Sequence, residues 1–121
     1  MKQLNVLVVD DSIVAAKMLA SKLSALGHKV VQMVSSGKDA LPAYESCKPD
    51  LVTMDISMPI MDGIAATRSI IERYPDAQII MATSIGQEKM LQDAENAGAK
   101  GYVIKPYQQD KLQEVIEKVF K

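Results

Sequence analysis

The chain has 121 residues and 13.2 kDa, and 48% of its residues are hydrophobic. That size and composition exclude a disordered chain and leave room for one core, not two. The 15 acids nearly balance the 14 bases, for a net charge of −1, which argues against nucleic-acid binding.

One cysteine, Cys47, excludes an intrachain disulfide framework. No stretch reaches the roughly 18 apolar residues of a membrane span, and MKQLNVLVVDD lacks the longer apolar region of a signal peptide. The expectation is a cytoplasmic protein. The eight methionines read mainly as core fillers, with one or two left for a binding face.

Five short apolar runs, at 4–9, 30–34, 51–54, 79–82 and 102–104, are continuous rather than alternating. Strands buried on both faces of a parallel sheet have that pattern. Helix-length segments lie between them. The first spans 13–26, with Ser12 as N-cap and Gly27 as stop. The second begins near Ser36, with Asp39 three residues on, and places Pro42 inside a helix, where it should remove a hydrogen bond or cause a bend. The third starts at Asp62-Gly63, read as a turn and helix start, and ends near Tyr74. The fourth covers 87–97 and is closed by Gly98. In the fifth, Leu112, Val115, Ile116, Val119 and Phe120 form one apolar stripe.

Five strand–helix units in succession predict an α/β fold, with a parallel sheet and helices on both faces. They fill residues 1–121 as a single domain, so the expectation is that any signal passes to another molecule.

The polar residues that follow the strands carry the chemistry. Asp10-Asp11 follow the first, Asp55 the third, Thr83-Ser84 the fourth and Lys105-Pro106 the fifth. In a parallel sheet these positions share the carboxyl edge, where ligands of open α/β sheets bind. Two like charges at ~4 Å repel by about 4 kcal/mol at an effective dielectric of 20. Three carboxylates therefore call for a counter-charge, and oxygen-only ligands suit Mg²⁺. With Mg²⁺ and Lys105 the site is near neutral and ready for a phosphoryl group. A carboxylate can itself be the nucleophile and form an acyl phosphate.

The segments VLVVDDS (6–12), LVTMDISMPIMDG (51–63), IIMATS (79–84) and GAKGYVIKP (98–106) together resemble the receiver domain of two-component response regulators. The resemblance covers essentially the whole chain and is nearest to the stand-alone chemotaxis regulators. It implies a flavodoxin-like sheet in the order 2-1-3-4-5. It also implies that Asp55 accepts the phosphoryl group, that Asp10 and Asp11 hold Mg²⁺ together with Asp55 and the Ser57 backbone carbonyl, and that Lys105 binds the phosphate before a cis Pro106. Thr83 is implied as the hydroxyl that moves toward the phosphoryl group, and Tyr102 as the aromatic switch behind it. The implied partners are a sensor histidine kinase and a downstream protein such as a flagellar motor switch protein, with no nucleic acid or membrane. A monomer would present the fourth helix, fifth strand and fifth helix, with Ile104, Tyr107 and Lys111 as contact residues. Ser84 departs from the usual Ala or Gly, and Ser57 and Ile85 occupy positions that vary with phosphoryl lifetime.

Two other readings stand beside this one. An unphosphorylated interaction module would not need the full set of Asp10, Asp11, Asp55, Thr83 and Lys105. A phosphatase or nucleotide-binding enzyme would show an Asp-x-Asp pair or a Gly-rich loop after the first strand, and the sequence has neither. A receiver cut from a larger regulator would have the same sequence features. His28, the single histidine, reads as structural, with a partly charged imidazole favoured at a helix end. Cys47 reads as an incidental thiol.

Overall fold

The computed structural model describes residues 2–121. Ten main elements alternate along it: β1 (Asn5–Val9), α1 (Ile13–Ala25), β2 (Lys29–Val34), α2 (Ala40–Cys47), β3 (Leu51–Asp55), α3 (Gly63–Arg73), β4 (Ile79–Thr83), α4 (Leu91–Asn96), β5 (Gly101–Ile104) and α5 (Gln109–Val119). The strands pair in parallel in the order β2-β1-β3-β4-β5. Successive side chains of a strand point to opposite faces, and this divides the core into two layers. Val6 and Val8 join Leu19, Leu23, Leu112 and Ile116 under α1 and α5. Leu7 and Val9 join Ala43, Ala66, Ile70 and Ala94 under α2, α3 and α4.

The central strands β3 and β4 are buried throughout, as continuous apolar runs predict. The outer strands differ. β2 is only half-buried and β5 exposes Tyr102 and Ile104. Their apolar runs match those of buried strands, but their place at the sheet edges leaves one side without a covering neighbour. β3 and β4 also run one residue further than the apolar patterns, so Asp55 and Thr83 are the last residues of strands.

Helix boundaries follow local chemistry. Ser12 caps α1 by accepting the Ala15 N–H at 3.2 Å. Gly27, at φ +92°, takes the left-handed turn that ends it. Before α2 there is a 3₁₀ turn, Gly37–Asp39, so the helix starts later than Ser36. Pro42 thereby falls in the first turn of α2, where its missing N–H has no intrahelical partner to lose. The predicted break does not occur. α4 is likewise shorter than 87–97, because a 3₁₀ turn, Glu88–Met90, precedes it.

His28 is buried, and its Nδ1 accepts the Leu4 N–H at 3.1 Å. Burial holds its pKa below the ordinary value, so it serves as a neutral acceptor rather than a charged helix end. Across the α2–α3 face, Tyr74 donates to Glu45 at 3.0 Å and Arg73 pairs with the same carboxylate. No helix is long and apolar enough to cross a membrane among the described residues.

Candidate functional site

The strand order brings the ends of β1, β3, β4 and β5 together at the carboxyl edge. Asp10 follows β1, and its N–H donates to the Val34 carbonyl at 3.1 Å. Its Oδ1 accepts the Ser12 N–H at 2.9 Å, which orients the carboxylate at the start of α1. Asp11 stands beside it, exposed. Asp55 ends β3 and is only 4% exposed. Carboxylate oxygens of Asp10, Asp11 and Asp55 lie within 4.8 Å of one another. Lys105 bridges two of these acids, with Nζ 3.1 Å from Asp10 Oδ2 and 3.3 Å from Asp55 Oδ1.

These charges act on one another in a partly dry site. Burial, followed by the negative charge of Asp10, pushes the Asp55 pKa up to about 6 against the pull of Lys105. For Lys105, burial alone would lower the pKa, but the Asp10 and Asp55 carboxylates outweigh it and hold the ammonium above its ordinary value. The lysine is thus charged at neutral pH, and Asp55 is mostly a carboxylate. A hard cation with oxygen ligands suits three carboxylates at this spacing.

The loop after Asp55 is held in close contact with it. The Gly63 N–H donates to the Ile56 carbonyl at 2.8 Å, and a Cβ on Gly63 would collide with the Asp55 backbone carbonyl. Asp62 caps α3 by accepting the Ala65 N–H at 2.9 Å. Asp62-Gly63 is therefore the turn and helix start expected of it, and Gly63 has the further task of admitting the backbone of Asp55. Between them and Ser57, Ile60 sits at φ 70° in a three-residue turn closed by the Met61 N–H on the Pro59 carbonyl at 2.8 Å. A β-branched residue is strained there. Ser57 is exposed at the start of this loop.

Thr83 is fully buried at the end of β4. Its Oγ1 lies 3.3 Å from the Ser84 carbonyl and 3.4 Å from Gln87 Oε1, which also accepts the Ser84 N–H at 2.9 Å. The hydroxyl is thus engaged with its own loop rather than with Asp55. Gln87 was not marked in the sequence, since its role depends on the 3₁₀ turn that follows it. The Lys105–Pro106 peptide is cis. Tyr102 is 47% exposed and Ile104 40%, and Lys111 is also exposed.

Tyr107 is a correction. It was expected on the contact surface, but it is only 6% exposed and packs in the α1–α5 layer with Leu112 and Ile116. The turn at Pro106 sends the chain back over the sheet, so the residue after it faces inward.

Residues 6–117 match the response regulator receiver domain. The chain belongs to that family. A chemotaxis protein CheY of Thermotoga maritima is 40% identical over 116 residues, covering 96% of this chain and 97% of that one. A chemotaxis protein CheY of Bacillus subtilis is 42% identical over 113 residues, covering 93% and 94%. The CheY structure in the CheX-CheY-BeF3-Mg complex of Borrelia burgdorferi superposes with a TM-score of 0.90 at 34% identity, covering 97% of this chain and 89% of that one. The fold is accordingly the CheY-like form of the flavodoxin fold. Receiver domains are signalling modules of two-component systems rather than metabolic enzymes, and they bind Mg²⁺ at an acidic pocket.

Proposed function

We propose that this chain is a phosphorylation-activated response regulator of the chemotaxis type, with Asp55 as its phosphoacceptor. The observation that carries the reading is the placement of Asp55. It is buried at a strand end, ion-paired to Lys105 at 3.3 Å, with the Asp10 and Asp11 carboxylates beside it. A sensor histidine kinase presents a phosphohistidine. One carboxylate oxygen of Asp55 attacks the phosphorus in line, the N–P bond breaks, and its electron pair stays on the imidazole nitrogen. The product is an acyl phosphate.

Asp10, Asp11, Asp55 and the Ser57 backbone carbonyl would hold Mg²⁺. The ion supplies positive charge that offsets the phosphoryl oxygens. Lys105, held above its ordinary pKa, keeps an ammonium next to Asp55 for the same oxygens. Water later attacks the acyl phosphate and ends the signal, a self-dephosphorylation rather than metabolic turnover.

Phosphorylation gives Thr83 a charged acceptor in place of the Ser84 carbonyl. Its hydroxyl moves toward Asp55, and Tyr102 turns inward from its present exposed position. Residues 1–121 act as one domain in the cytoplasm. They pass the signal in trans through the face of α4, β5 and α5, where Ile104 and Lys111 are exposed. The names of the relatives support a chemotaxis output, with a flagellar motor switch protein as the downstream partner. The chain is a monomer that touches neither nucleic acid nor membrane.

Incubation with Mg²⁺ and acetyl phosphate should add one phosphoryl group, about 80 Da. Asp55→Asn should show none of it. Absence of the mass gain in the wild type overturns the proposal.

A further inference from the structure

Three buried side-chain oxygens have no hydrogen-bond partner among the described residues: Asp10 Oδ2, Thr53 Oγ1 and Tyr107 Oη. Buried hydroxyls and carboxylates are nearly always paired, with protein or with ordered water. Asp10 Oδ2 is ion-paired to the Lys105 ammonium at 3.1 Å but accepts no hydrogen bond.

All three belong to segments that finish at the acid site, β1, β3 and the loop after β5. Thr53 sits two residues before Asp55 on β3, so both side chains leave the same face of the sheet. Its register partners, Val8 on β1 and Ile80 on β4, belong to the α1–α5 layer. Tyr107 is buried in that same layer. It comes two residues after Lys105, whose ammonium touches both Asp10 and Asp55, and burial first, then the charges of those two acids, hold its phenol above the ordinary pKa. Tyr107 and Thr53 each offer an O–H, and Asp10 Oδ2, beside its ion pair with Lys105, has room to accept one.

We infer that Tyr107 and Thr53 are positioning residues of the acid site, joined to Asp10 Oδ2 through one buried water. The two hydroxyls donate to the water oxygen, and the water donates to Asp10 Oδ2. Three polar partners are the usual number for a buried water. Oδ1 of Asp10 is already fixed by the Ser12 N–H. Fixing Oδ2 leaves the carboxylate one orientation toward Asp55. This positioning role rests on the receiver reading of the site, but the water bridge does not.

The test is a double-mutant cycle in metal-free protein with Tyr107→Phe and Thr53→Val, each of which removes a hydroxyl and keeps the shape. Each single variant should lower the thermal midpoint by about 2–4 °C. The double variant should lose less than the sum, since one water serves both. Hydroxyls that truly lack partners would give the opposite result: their removal leaves the midpoint unchanged or raises it. That outcome, or strict additivity, overturns the bridge.

Calorimetric titration with Mg²⁺ tests the positioning. Tyr107→Phe should weaken binding about threefold, while Tyr44→Phe, in α2 with its ring 5.0 Å from that of Tyr74, should not change it. Equal affinity in wild type and Tyr107→Phe overturns that part. A wild type that takes no phosphoryl group overturns the receiver reading instead, and the stability cycle still decides the bridge.

Discussion

The two ends of the sheet solve opposite problems with similar residue types. At the amino end, His28 accepts the Leu4 N–H and Asp50 Oδ2 accepts the Asn5 N–H at 2.8 Å. Each of these two side chains closes a free backbone donor. At the carboxyl end, three carboxylates crowd together with one lysine between two of them. The N-termini of α1 and α3, capped by Ser12 and Asp62, lie at that same end, and their dipoles favour negative charge. The amino end is satisfied by the protein alone. The carboxyl end holds an excess of negative charge that a cation and a phosphoryl group can use. Parallel topology separates the two tasks, since every strand starts at one end and finishes at the other.

The largest test of this contrast is Gly63→Ala. The added methyl meets the Asp55 carbonyl, so the loop and the strand end must part. The expected cost is at least about 3 kcal/mol in denaturant unfolding, from backbone overpacking. A cost near zero would mean that the loop does not hold the acid site.

Acid should separate the two ends by sign. The pKa of His28 is lowered in the native state, so the unfolded chain binds the proton first. Its contribution is fully present above the unfolded value of about 6.5 and is lost as pH falls below it. His28→Leu should cost about 2 kcal/mol at pH 7, by leaving the Leu4 N–H without its acceptor, and should remove that part of the acid loss. A loss below pH 6.5 as steep as the wild type's would show that another group is responsible.

Asp55 works the other way. Its native pKa of about 6 lies above the model-peptide value of 3.8. The native state is thus penalised for ionising it above pH 6, and the penalty is relieved as pH falls from about 6 toward 4. In metal-free protein, Asp55→Asn should gain about 1 kcal/mol at pH 7, reduced from the full linkage value because water reaches the mouth of the site. The gain should shrink at pH 4.5. Urea melts at the two pH values measure it, and a gain that grows on acidification would contradict the crowding of charge at this end.

Much of this contrast was legible in the chain. The Val- and Ile-rich runs gave five strands, and the residues just beyond them gave Asp10, Asp11, Asp55, Thr83 and Lys105. What the pattern could not separate was an edge strand from a central one. VVQMV and LVTM read alike, yet β2 is half exposed and β3 is buried. Pro42 looked like a helix breaker until the 3₁₀ turn placed it in a first turn. Tyr107 read as surface because the sequence does not reveal the direction of the chain after the cis Pro106.

The sequence by itself determined the elements, their parallel arrangement and the acids that gather at one edge, because hydrophobic periodicity and strand-end chemistry are local properties. Only the tertiary structure decided that Lys105 spans Asp10 and Asp55, that Gly63 must lack a side chain, and that Tyr107 is buried in the α1–α5 layer. Those facts depend on distances between residues as many as 95 positions apart, from Asp10 to Lys105. Close packing sets such distances, and no local pattern records them.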